Sequence, residues 1–193
     1  MHHIYHTEGI ILESRNQGEA GRYYAIFTRD LGMIYASASG VRKASSKLRY
    51  VLQDFAYLKI DLVRGKDFWR ITSASKTNSL ESLHKNKEIF PVFYQISKLL
   101  KRLLAGEEAN ESLFQDLIKG LHILEETKGK KEIENVEVVI VLRILANLGY
   151  LGRQDSLEHL IASPVADDLI FEVAKNRTAI LSEINKALKE TQL

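Results

Sequence analysis

The sequence predicts an α+β chain, a five-stranded β-barrel followed by an all-α region. Three observations carry this. Residues 8–77 fall into five short runs with β-type apolar patterning, separated by turn residues. No helix-length pattern lies between the first four runs. After Thr77 the apolar spacing lengthens to that of amphipathic helices. The predicted division is a barrel over residues 1–78 and a helical region over 79–193.

The first run, residues 8–15 (EGIILESR), has β-branched residues at its centre. Residues 17–21 make a turn whose two glycines can take positive φ. Residues 22–29 (RYYAIFTR) follow, with Tyr24, Ile26 and Thr28 on one face and Tyr23, Ala25 and Phe27 on the other. After Asp30-Leu31-Gly32, residues 33–39 (MIYASAS) form a third strand, with small residues expected on its outside. Residues 51–63 are the longest strand signal, and residues 68–77 supply a fifth strand after the turn at 64–67. Five strands is the count of the OB-fold, which binds single strands through a basic groove with aromatic platforms. Tyr23, Tyr35, Tyr50, Phe68 and Trp69 are available as platforms, with Trp69 the least core-like. The opposing reading makes each of them core.

Between the third and fourth runs lies the most charged stretch, residues 40–49 (GVRKASSKLR). It carries Arg42, Lys43, Lys47 and Arg49 and no acid, around small or hydroxyl residues that cannot build a core. A basic loop on a small sheet suits a phosphate backbone; a solvated connector is the plainer alternative.

In the second half, a short helix is expected from Asn78 or Ser79 to Leu83 and a long one over residues 88–104, ending before Gly106. Asn110 caps the next, which runs to Glu126. Residues 128–131 read as a solvated connector, followed by a helix over 134–148 that stops at Gly149. Residues 152–163 are a weak helix before Pro164, and 167–188 read as two short helices divided near Asn176.

Composition bounds the function. The chain has 193 residues, no cysteine and a net charge of +2. Disulfides and thiolate metal sites are therefore excluded. No run approaches the roughly 18 apolar residues of a membrane span, and the N-terminus lacks a secretory pattern, so a cytoplasmic protein is expected. Residues 1–80 hold 12 Lys and Arg against 7 Asp and Glu, and residues 81–193 hold 15 against 18. A basic first half and a mildly acidic second half point to different partners. There is no P-loop, nucleophile elbow, zinc-protease motif or dinucleotide fingerprint. Adjacent carboxylates (107–108, 125–126, 167–168) diverge on a helix and read as solvated faces. His2, His3 and His6 sit at the chain end, where metal ligation is disfavoured. His84, His122 and His159 are scattered, and His122 reads as a packed histidine. No enzyme is expected.

The first half resembles the RecO family of DNA-repair proteins. The resemblance rests on Gly9-Ile10-Ile11-Leu12, Gly18-Glu19, and Phe27-Thr28-Arg29 with Gly32. It continues through Ser39-Gly40-Val41-Arg42-Lys43, Ser46-Lys47-Leu48, and Leu52-Gln53 with Phe55. It spans about residues 5–80 and continues at Leu142-Arg143-Ile144-Leu145 with Leu148-Gly149-Tyr150. It implies an OB-fold domain for nucleic acid and a helical domain for partners. It further implies binding of single- and double-stranded DNA, annealing, and loading of recombinase onto strands coated by single-strand-binding protein. The implied partners are RecR and the single-strand-binding protein tail. Many members carry a four-cysteine zinc motif after the LGY element; this chain has no cysteine there, so zinc and every other cofactor are left out. The chain is also short for the family, and Ala20-Gly21 departs from its usual turn. The expected DNA-binding residues are Arg42, Lys43, Lys47 and Arg49, then Arg15, Arg22 and Arg70. Arg143 is expected only to form a salt bridge. The alternatives are a small-barrel RNA-binding module and a structural adaptor working through its helical half.

Overall fold

A computed structural model describes residues 3–66, 68–77, 79–83, 85–152, 155–165 and 167–191. The chain forms two compact units, residues 1–81 with 104–111, and residues 82–103 with 112–193. The expected roles of Asp67 in a turn, Asn78 as a cap, and His2 and His84 fall outside the described residues.

The first unit holds strands β1 (Ile4–Gln17), β2 (Gly21–Thr28), β3 (Gly32–Ala38), β4 (Tyr57–Arg64) and β5 (Trp69–Lys76). They close into a barrel in the order β1-β2-β3-β5-β4, with only the β3–β5 pairing parallel. This is the OB-fold expected from the strand count. β1 closes the barrel because it is long enough to pair twice. Residues 4–10 pair with β4 and 9–17 with β2, and an irregularity between Ile11 and Glu13 bends it. Gly9 lies at that double pairing, where an added Cβ would sit 2.9 Å from the Ile26 side chain.

The interior is filled by Ile11, Tyr24, Ile26, Ile34, Leu58, Ile60, Leu62, Trp69 and Ile71. Ala36 and Ala38 also face inward and are fully buried, so of the small residues of β3 expected outside only Ser37 takes the outer face; Tyr35 is the exposed residue of that strand. The reason is steric. Ala36 pairs with Tyr24 on one side and Trp69 on the other, and two large inward side chains leave room only for a methyl group between them. Trp69, expected to be the least core-like aromatic, is 4% exposed, meets Tyr5 edge-on at 4.9 Å and lies beneath the Arg64 guanidinium. Its position beside a turn and an arginine concealed an inward-facing strand residue.

The strand signal over residues 51–63 is half right. β4 starts only at Tyr57, because Phe55 adopts φ 68° and turns the chain. Leu52 is apolar for another reason, developed below. Residues 104–111 lie over the start of β3: Met33 N–H donates to Gly106 C=O at 3.0 Å, and Glu108 backbone presses on Gly32. Gly32 has φ 68° and no room for a Cβ, so no other residue fits there.

The second unit contains α1 (Phe90–Leu103), most of α2 (Glu111–Glu126), α3 (Lys130–Asn147), α4 (Asp155–Ala162) and α5 (Asp167–Glu190). α3 is buried on nearly every side and packs against α1, α4 and α5. It starts at Lys130, inside the expected connector. Gly120 of α2 lets α3 approach closely, since a Cβ there would meet the Ile140 side chain at 2.7 Å. Arg143 does not form the expected salt bridge. It is buried and donates to the Leu160 carbonyl, at 3.2 Å from Nη2, and to the Ser163 carbonyl. It thereby satisfies the open C-terminal end of α4. Burial lowers its pKa, opposed by Asp116. Among the described residues no helix forms over 79–83; Leu80 takes φ 63°, and Leu80 and Leu83 are both buried.

α5 is one helix of 24 residues, not two. Leu169, Val173, Ile180, Ile184 and Ala187 form a single buried stripe that runs past Asn176 without a break, and Asn176 itself is exposed. Asparagine's low helix propensity suggested a division that packing overrides. Asn176→Ala is expected to raise stability by about 0.5 kcal/mol and Asn176→Pro to lower it by about 3 kcal/mol or more. Urea unfolding of both variants tests this, and a tolerated proline would mean two helices.

Candidate nucleic-acid interface

The basic stretch closes one end of the barrel. Val41 and Leu52 are buried to within 2% and belong to the barrel core, and Leu48, on a short 3₁₀ turn over Lys47–Tyr50, and Val51, just after it, pack against that core. The small and hydroxyl residues at the centre, Ala44, Ser45 and Ser46, stay out of the core as expected, but the apolar residues on either side of them enter it. The apolar residues of the stretch serve as a plug, and its small residues only separate them. The plug is tied down by backbone. Arg42 N–H donates to Ala20 C=O at 2.9 Å, Leu52 N–H to Leu48 C=O at 2.9 Å, and Phe55 N–H to Ile11 C=O at 2.8 Å.

With the apolar side chains turned inward, the cations have only the solvent side. Arg42, Lys43, Lys47 and Arg49 are all exposed. Arg42 Nη1 donates to the Gly18 carbonyl at 3.3 Å, which holds it against the β1–β2 turn, where Gly18 alone of the two glycines takes positive φ. Arg49 lies over the exposed Tyr50 ring at 5.9 Å. Among the described residues none of these four cations forms an ion pair with a carboxylate. Other arginines of this unit differ: Arg29 pairs with Glu111 at 2.7 Å, and Arg64 pairs with Glu107. Both acids come from residues 104–111, far away in sequence, so no local pattern announced them.

The three remaining candidates divide. Arg15 is exposed but bonded to Glu13 at 3.1 Å, which offsets part of its charge. Arg22 is half-buried beside the Tyr24 hydroxyl and pairs in register with Ala38, just before the loop. Arg70 is exposed on β5. Register places Arg15, Tyr23, Ser37 and Arg70 abreast on β1, β2, β3 and β5. Tyr23 and Tyr35 stack on this outer face, with planes 7° apart and centroids at 5.9 Å, and Phe68 meets Tyr23 edge-on at 6.2 Å. Of the five aromatics noted in the sequence, three thus form one patch, Tyr50 stands on the loop, and Trp69 is core.

Other polar groups do not suit phosphate. A depression of about 370 Å³ mixes Glu8, Asp30 and Asp61 with Arg29 and Lys59, and His6 bonds Asp61 at 2.6 Å. His122 is exposed near Glu125, not packed as expected. His159 contacts Ser163 and Glu172. Among the described residues no group of three His, Asp or Glu could hold a metal ion, and with no cysteine the chain cannot build a thiolate zinc site. Among them too, no helix is long and apolar enough to cross a membrane.

Residues 1–80 match the family described as "Recombination protein O N terminal" and residues 93–156 match "Recombination protein O C terminal". Among similar proteins, one named DNA repair protein RecO, from Heliobacterium modesticaldum, is 32% identical over 147 residues, covering 76% of this chain and 52% of the relative. A protein of the same name from Dehalococcoides mccartyi is 31% identical over 125 residues, 65% of this chain and 49% of the relative. A third, from Desulfitobacterium hafniense, is 26% identical over 176 residues, 86% of this chain and 63% of the relative. The chain spans about half the length of the first two.

Two measurements check this geometry. Leu52→Ala is expected to cost about 2–5 kcal/mol in urea unfolding, the range for emptying a packed site; a connector leucine would cost almost nothing. Burial pushes the Tyr24 hydroxyl up to about 12, above the unfolded value of about 10. Its contribution to stability is therefore full below about pH 10 and falls as pH rises towards 12. Ultraviolet titration should show a tyrosine ionising well after the exposed ones, with stability declining over the same window.

Proposed function

The chain belongs to the recombination protein O family, and from that premise we propose that it is a DNA-binding protein of recombinational repair. It binds single- and double-stranded DNA, anneals complementary strands and helps load recombinase onto strands coated by single-strand-binding protein, in the cytoplasm and without covalent chemistry. The observation that carries this reading is the rim of four exposed cations, Arg42, Lys43, Lys47 and Arg49, which meet no carboxylate among the described residues and are held by a buried plug. Annealing needs affinity for the backbone of both strands and no base readout. Lys and Arg supply that by neutralising phosphates and releasing their counterions. Fixing the cations beforehand lowers the ordering cost of binding. Arg70 and Arg22 extend the same charge along the barrel, with Arg15 contributing least because of Glu13.

The barrel is on this reading the DNA-binding domain and the helical unit the partner-binding domain. RecR and the single-strand-binding protein tail are the proposed partners. A groove of about 500 Å³ between α2, α3 and α5, beside the highly exposed Phe171, suits a short apolar segment.

The test is a salt series of fluorescence anisotropy on labelled single-stranded DNA. Wild type is compared with the Arg42→Ala/Lys43→Ala/Lys47→Ala/Arg49→Ala variant. Each lost phosphate contact is expected to reduce the slope of log affinity against log salt by roughly 0.7. Equal slopes for the two proteins would make the loop a connector.

A further inference from the structure

We infer that the groove between α2, α3 and α5 is a self-association surface: two copies of this chain pair about a two-fold axis, and each places its Phe171 in the groove of the other. The inference goes beyond the DNA-binding reading and does not rest on it. It names the occupant of that groove in the free protein.

Exposure of Phe171 is the first ground. The ring is 74% exposed, more than any other large apolar side chain among the described residues, although its helix neighbours Leu169 and Val173 are buried. It stands on the lip of a groove of about 500 Å³ whose apolar walls are Ile123, Ile170 and Ala174. A knob and a hollow thus lie side by side on one surface. Phe171 and Ala174 are three residues apart on α5 and share a face. A surface that carries both halves of a fit closes on a copy of itself through a two-fold axis, here between Phe171 and Ala174. The large ring of one α5 then meets the small side chain of the other, in antiparallel order.

The polar groups of the groove agree. Asn135 lines it, is only 8% exposed, and its side chain makes no hydrogen bond among the described residues. A buried amide left unbonded is costly and marks a place where a polar group from outside belongs. Glu126 and Glu132 border the groove against Lys128, and among the described residues none of the three is in an ion pair. One carboxylate is therefore in excess. In the two-fold arrangement Lys175, exposed and likewise without an ion pair among the described residues, comes from the other copy to a place opposite Ile170, at the groove. Its ammonium supplies a donor for the Asn135 carbonyl oxygen and the missing positive charge. A purely apolar segment would fill the hollow and leave both unmet.

The test is sedimentation velocity of the full chain over a concentration series. Wild type is expected to pass from monomer to dimer as concentration rises. Phe171→Ala removes an exposed ring and leaves the fold intact, and it should weaken the dimer by at least about thirtyfold, the loss of one central anchor. Because the chain has no cysteine, a single nitroxide label can be placed at will and distances read by electron spin resonance. In the dimer, labels at Asn176→Cys are expected about 10 Å apart along the helix axis and labels at Lys189→Cys about 50 Å apart, from the rise per residue on either side of the two-fold. A wild type that stays monomeric at every concentration would overturn the pairing and leave the groove to a different partner. A dimer that survives Phe171→Ala, or label distances in the reverse order, would overturn it too. Both measurements are made without DNA, so their failure leaves the DNA-binding reading standing.

Discussion

Closing the barrel end is the constraint on which the candidate interface depends. A five-stranded barrel leaves an open end, and apolar side chains there must be covered. The chain covers them with the connection between β3 and β4. Val41 and Leu52 enter the core, and Leu48 and Val51 pack behind them. Once those four point inward, the intervening cations must point outward, because a short 3₁₀ turn offers no other direction and burying an unpaired charge is costly. Position of charge here is a by-product of packing. Sequence that looks like a solvated linker is a plug with a charged outer surface.

Acids are distributed to the same effect. Residues 104–111 return to the barrel and bring Glu107 and Glu111 onto Arg64 and Arg29. Those arginines are spent on structure. The loop and Arg70 meet no carboxylate among the described residues, so their charge is left open to solvent. Arg15 is intermediate, tempered by Glu13 on its own strand. A modest net charge of +2 conceals this arrangement, since what matters is which cations are left unpaired.

Much of this was legible in the sequence, for physical reasons. Period-two alternation announced the barrel, and the shift to helical spacing after Thr77 announced the helices. What was missed depends on distant contacts. Phe55 has to turn the chain with a left-handed residue before β4 can begin, and no local rule predicts phenylalanine there. Asn176 reads as a helix break until the stripe from Leu169 to Ala187 is seen buried through it. Trp69 reads as a surface ring beside a turn, and only strand register sends it inward. The charge of the loop is visible in one dimension, because four cations stand there without an acid. Gathering Tyr23, Tyr35 and Phe68 into one patch needs the cross-strand pairing, which sequence does not display.

The most direct test of the central claim is an amide chemical-shift titration of the ¹⁵N-labelled chain with single-stranded DNA. The account predicts that shifts concentrate at residues 40–50 and 18–23, with a second group at 35–37 and 68–70, while α3 and α5 stay still. Shifts confined to the helical unit, or spread evenly over both units, would contradict the assignment of the plugged barrel end as the nucleic-acid interface.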